Sequence, residues 1–280
     1  MLKAAEPRSH RMVARSSEAP SIRRTLAGLH RYRALIRNLV IKDLKLKYRG
    51  SLIGFVWSLA NPLLTAAVYT IAFRSILRIR SEGFVFYLML GLLAWTFFAS
   101  AAAMSTGSIV DNGGLLKSVR FPRAILPIAT VLFTLAQYLL TVLVFLPLML
   151  IVYRIRPAAP MLLFPVIVAL QALFTIGVAL ILATSTAFFR DVRHLVEVAL
   201  MVLFWTTPIV YTIHDVSGRL PQLILLSPLS SFVTAYHNIF YDRQWPSLEI
   251  WAIAITYTAL ALTVGLSLIV RYEDSFAERV

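Results

Sequence analysis

From Ile125 to Val152 the chain carries no charged side chain, and the same holds over 84–106 and 161–188. Runs of that kind have few ways to fold. A bilayer core of about 30 Å is crossed by roughly 20 helical residues. Inside it the backbone must satisfy its own hydrogen bonds, which a helix does. Composition agrees: 59% of the 280 residues are hydrophobic and 14% are charged, against about 25% charged in a soluble domain. The runs predict an all-α integral membrane protein with six spans, near 53–73, 84–106, 125–152, 161–188, 195–213 and 249–270. Residues 221–240 are also apolar, but they hold Pro221, Pro228, His237 and Asn238. We expect re-entrant or interfacial helices there rather than a seventh span.

The net charge of +14 is concentrated ahead of the first span. Residues 1–29 read as a basic, disordered cytosolic tail. Residues 30–49 read as an amphipathic helix in the interface plane, with Leu35, Ile36, Leu39, Val40 and Leu44 on one side. Its cations then sit at headgroup level. Gly50 permits a turn from that helix into the first span. With the N-terminus inside, twenty of the 27 Lys and Arg residues fall on the cytosolic side, which is the usual bias. The C-terminus, 273–280, is then cytosolic as well. No nucleic-acid recognition pattern accompanies the charge, so membrane lipid rather than nucleic acid is the expected anionic partner. The N-terminus lacks the short apolar core and small-residue site of a secretory signal.

Enzyme chemistry lacks its usual parts. No cysteine is present. The stretch "NGGLLKS" at 112–118 has Leu116 where a phosphate loop needs glycine before its lysine. The five histidines, at 10, 30, 194, 214 and 237, have no paired metal-ligand spacing. No Gly-x-Ser-x-Gly elbow occurs. We therefore expect no catalytic residue, metal or cofactor in this chain. A membrane-embedded transferase would need an acidic base, and Asp111 and Asp191 are the candidates. Few ionisable groups lie within the spans, which argues against a proton relay.

Two short loops on the cytosolic side are more informative. In 111–127 Leu115, Leu116 and Val119 form one apolar face of a short helix, with Lys117 and Arg120 turned away; the alternative is an ordinary cationic loop. At 188–198, Arg190, Asp191 and Arg193 mark a tight return into the membrane. Within the spans, Phe55, Tyr69 and Phe73 lie near one helical face, and Phe204 and Tyr211 share another beside Trp205. Such faces stack on sugar rings, or serve as interface belts and packing surfaces.

Three stretches, in order, resemble one family. They are "LKLKYRGSLIGFVWSLANPLL" (44–64), "LLKSVRFPRAILP" (115–127) and "FRDVRHLVEVALMVLFWTTPIVY" (189–211). Over residues 30–272 the chain resembles the membrane subunits of type-2 ABC polysaccharide exporters, the O-antigen, capsule and teichoic-acid permeases. The resemblance implies a homodimer in the bacterial cytoplasmic membrane, with residues 50–272 as the transmembrane domain. Two copies of a separate nucleotide-binding ATPase would bind the ATP and magnesium, and the cargo would be lipid-linked polysaccharide. It also implies roles. Leu115, Leu116, Lys117, Val119, Arg120 and Phe121 would couple to the ATPase. Phe55, Tyr69, Phe73, Phe204, Trp205 and Tyr211 would line the passage. Lys45, Lys47 and Arg49 would hold headgroups at a lateral opening, and Pro228, Tyr236 and His237 would form an outer gate. The sequence departs from the family where Ser227-Pro228 and Tyr236-His237 stand in place of Asn-Pro and Tyr-Arg. Export of a drug or lipid on the same fold is the alternative.

Overall fold

The computed structural model describes residues 28–49, 60, 63–65, 67–69, 71–72, 83–119, 121–212, 224 and 227–276. Among these the secondary structure is helical, with no strand. The helices are α1 (Arg33–Tyr48), α2 (Phe84–Gly107), α3 (Gly113–Ser118), α4 (Ile125–Val152), α5 (Phe164–Phe188), α6 (Val192–Thr206), α7 (Pro228–His237) and α8 (Leu248–Tyr272). Among the described residues four segments are long and apolar enough to cross a membrane: α2, α4, α5 with the 3-10 turn that leads into it from Ala159, and α8. Their ends follow the expected spans closely. Most of the expected 53–73 span, with Gly50, Phe55 and Phe73, lies outside the described residues, as does the tail up to residue 27.

Local chemistry sets several helix ends. Proline occupies the first turn of both α5 and α7, where a missing N–H costs nothing and φ is already helical. Ser247 caps α8 by accepting a hydrogen bond from the Ile250 amide. Where a 195–213 span is expected, the helix runs over Val192–Thr206. Thr207 is extended (φ −100°, ψ 134°), because it precedes Pro208 and the proline ring disfavours helical geometry there. With 15 residues, α6 is only about 22 Å long.

Packing builds one bundle. α8 lies along α5, α2 packs against α4 and α5, and α1 lies on α4. The α5–α8 crossing is tight enough to need glycine. A Cβ on Gly177 would lie 2.6 Å from Leu262 N, and one on Gly265 would lie 2.5 Å from Gly177 O. Small residues at such crossings let helix backbones meet inside a membrane.

The main core runs through the bundle, and a smaller cluster closes the end that carries the α2–α4 connection. The small cluster joins Ile109, Leu116, Phe121, Ile125, Leu180, Ile269 and Phe276. α7 is almost wholly buried between α2, α5 and α8. Its ten residues run on into a π-helical turn, Asn238–Asp242, and together they fall short of the roughly 20 helical residues that cross a bilayer core.

Candidate functional site

The connection between α2 and α4 is held from three directions. Leu116 is 5% exposed and Phe121 6%, so both belong to the small core. Leu115 packs partly against that core. Arg123 donates from Nη1 to Leu116 O at 3.2 Å, and its own amide donates to Glu273 Oε1 at 2.9 Å. The segment after α8 thereby braces the connection, and Phe276 of that segment packs with its ring tilted against Phe188. The expected single apolar face does not form. Val119 follows the helix in extended geometry and is exposed, as are Gly114, Lys117 and Ser118. A six-residue helix has one face for the core and one for solvent, and Leu116 takes the core face. Arg120 lies outside the described residues.

The third tie crosses to α6. Arg193 Nη2 donates to both carboxylate oxygens of Asp111, at 3.1 and 3.3 Å. Of the two candidate bases, Asp111 is therefore held in an ion pair with a guanidinium. Asp191 precedes α6 and is exposed. Among the described residues no group of three acidic, histidine or cysteine side chains is placed to hold a metal.

α6 divides lengthwise. Leu200, Leu203 and Phe204 pack on the main core, while Leu195, Val198, Met201, Val202 and Trp205 face outward. Val196 is the one buried residue of this helix. The expected aromatic face is thus split. Phe204 turns inward against Trp95, with ring centroids 5.5 Å apart, and Trp205 is 64% exposed. Tyr211 lies past the end of α6, so it cannot share a helical face with Phe204; its hydroxyl donates to Trp205 O at 3.2 Å. Tyr87 donates to Pro208 O and Tyr211 O, at 3.3 and 3.1 Å. Tyr87 thus satisfies two carbonyls of the unwound 207–211 stretch. Tyr69 packs against the main core, whereas Leu64, Val68 and Ile71 of the same stretch are exposed.

The three residues expected at an outer gate are all fixed by packing or by the helix. Pro228 opens α7. Tyr236 donates to Gln171 Oε1 at 2.8 Å, and Gln171 Nε2 donates to Ala94 O at 2.9 Å. One amide thereby links α7, α5 and α2. His237 stacks on Tyr87 at 3.6 Å between centroids, and its Nε2 donates to Tyr87 O at 2.9 Å. The gap beside Tyr138 and Tyr236 encloses about 10 Å³, too little for a sugar ring and at the limit for one water.

The expected headgroup cations separate too. Lys45 and Arg49 line an open groove with Asn38, Lys42 and Tyr48. Lys47 turns the other way and donates to Gln137 Oε1 of α4. Partial desolvation there holds its ammonium below the ordinary lysine pKa. Leu35, Ile36 and Leu39 of α1 pack on the small core.

The sequence pattern of the ABC-2 type transporter family matches residues 34–241. The chain belongs to that family. It is 35% identical over 263 residues to the O-antigen export system permease protein RfbA of Myxococcus xanthus, covering 92% of this chain and 99% of that protein. An RfbA of Klebsiella pneumoniae, with the same description, is 34% identical over 240 residues, covering 85% of this chain and 91% of its own length. A more distant relative is the polysialic acid transport protein KpsM of Escherichia coli, at 23% identity over 251 residues, 86% of this chain and 95% of that protein. In this ABC-2 chain, sequence reasoning passed over Gln171, Gln137 and the Asp111–Arg193 pair. Gln171 had a legible signal: it is the one amide in an otherwise apolar run. The other two depend on partners 90 and 82 residues away.

Proposed function

We propose that this chain is the channel-forming membrane subunit of an ATP-driven exporter. Its cargo is lipid-linked polysaccharide of the O-antigen, capsule or teichoic-acid type, and its site is the bacterial cytoplasmic membrane. Membership of the ABC-2 family carries the reading, together with export relatives that align over almost the whole chain. Two copies of the chain enclose the passage, and two copies of a separate ATPase dock beneath it, binding ATP and magnesium. The outward apolar face of α6, with Trp205 upon it, supports a passage built between copies, since the enclosed gap beside Tyr236 is too small for sugar.

The first span and α6 complete six crossings, α7 is a re-entrant helix on the outer side, and both termini are cytosolic. The all-round burial of α7 supports this, because a helix too short to cross the membrane must end among protein groups that satisfy its backbone. α1 lies at the cytosolic interface, where Lys42, Lys45 and Arg49 meet anionic headgroups. Gly114, Lys117, Ser118 and Val119 form the exposed surface offered to the ATPase.

Deletion of the gene tests the cargo. High-molecular-weight carbohydrate is expected to vanish from the cell surface, on stained gels of envelope extracts, and to return with the wild-type chain. Unchanged surface carbohydrate would sink the polysaccharide reading and favour a drug or lipid cargo.

A further inference from the structure

α6 is a poorly anchored helix in a well-packed bundle. Val196 is its one buried residue. Its far end is held by the Trp95–Phe204 contact, by the two hydrogen bonds from Tyr87 to the 207–211 stretch, and by Ser230, which donates to Thr206 O at 3.4 Å. Its near end is tied by Arg193 to Asp111, two residues before α3 begins.

That tie adds little to folding. The two side chains are 46% and 63% exposed, and ion pairs this exposed contribute little to stability. Yet the fold makes room for it. α2 ends at Gly107, and a Cβ there would collide with Asp111 Oδ2, approach Arg193 Nη2 at 2.8 Å and Asp111 Cγ at 3.0 Å. Any larger residue at 107 would therefore push the pair apart. The contact also joins elements with different duties. Asp111 sits on the 3-10 turn that feeds α3, and Arg193 is in the first turn of α6. The opposite side of the same connection is fixed by Arg123 to Glu273, at the end of α8.

We propose that the Asp111–Arg193 pair is the link through which displacement of the α2–α4 connection moves α6. The two are positioning residues. Neither touches cargo or nucleotide; they set where α6 stands when the ATPase pushes on the connection. This rests on the exporter reading above. With Arg123–Glu273 holding one side of the connection and Arg193 the other, a push on α3 is divided between α8, which is tightly packed on α5, and α6, which is not. The less anchored helix moves.

The test uses the full complex, with its ATPase, and the gene-deletion strain. Arg193→Ala is expected to leave the complex assembled and its ATPase rate close to wild type. Surface carbohydrate should fall about tenfold, within the usual range of coupling between sites. The reversed pair, Asp111→Arg with Arg193→Asp, is expected to restore most of the export while each single reversal does not. A merely structural role would move ATPase rate and assembly together, and that outcome would overturn the proposal. So would wild-type export by Arg193→Ala, or a reversed pair no better than its single variants. A wild-type chain that carries no ATPase fails differently: it removes the exporter reading itself.

Discussion

Gly177→Leu is expected to abolish accumulation of folded protein. A Cβ at this position meets the backbone of α8, at Leu262 N (2.6 Å) and Ala261 O (2.7 Å). No side chain stands there that could turn aside. From the other helix, a Cβ on Gly265 would lie 2.5 Å from Gly177 O. The larger residue must therefore separate α5 from α8, whose contact is the most extensive in the bundle. Overpacking a core usually costs about 1–3 kcal/mol, and a clash with fixed backbone belongs at or above the top of that range. The measurement is the monodisperse fraction on gel filtration in mild detergent, with thermal unfolding of what survives. Gly114→Ala is the control, because nothing lies within 4 Å of a Cβ at that exposed position. A Gly177→Leu chain that elutes and melts like wild type would contradict the described crossing.

Leu116→Asp and Val119→Asp are expected to fail in different ways. Leu116 is among Ile109, Phe121, Ile125 and Phe276 in the small core. A carboxylate there loses its apolar contacts and stands desolvated, for a cost of about 3 kcal/mol or more. That chain should be lost to aggregation. Val119 is 47% exposed, so Val119→Asp should leave melting within about 0.5 kcal/mol of wild type. In the proposed complex it puts a charge into the surface offered to the ATPase, and retention of that partner should fall at least tenfold on the scale of an interface hot spot. Gel filtration of the chain and partner recovery from the same detergent extract separate the two. If Leu116→Asp folds normally and Val119→Asp does not, the assignment of inner and outer faces on α3 is reversed.

The four long apolar helices were legible because lack of charge is a local property. Ile125–Val152 could be read end to end from its own residues. α6 was read too long because apolar Ile209 and Val210 continue the hydropathy, whereas Pro208 ends the helix. In the 221–240 stretch the described helix starts at Pro228 and runs on past His237 into a π-helical turn, Asn238–Asp242. Faces were harder. Periodicity says that Leu115 and Leu116 are apolar, but not whether the core or a partner receives them. Burial of Leu116 decides that in favour of the core. Phe204 and Trp205 are adjacent aromatics with one local signal, and the bundle turns one inward and the other outward. Long-range polar pairs left almost no trace. Lys47 looked like one more headgroup cation until α4 brought Gln137 beside it.

As proposed, this chain is a transport subunit dependent on a separate ATPase. The most direct test is to purify the tagged chain from its native membrane in mild detergent and to measure ATP hydrolysis by the chain alone and by whatever complex it brings with it. A stable complex with a nucleotide-binding subunit is expected, with hydrolysis by that complex and none by the isolated chain. Turnover of ATP by the chain alone, or glycosyl transfer to a lipid carrier with no partner present, would contradict it.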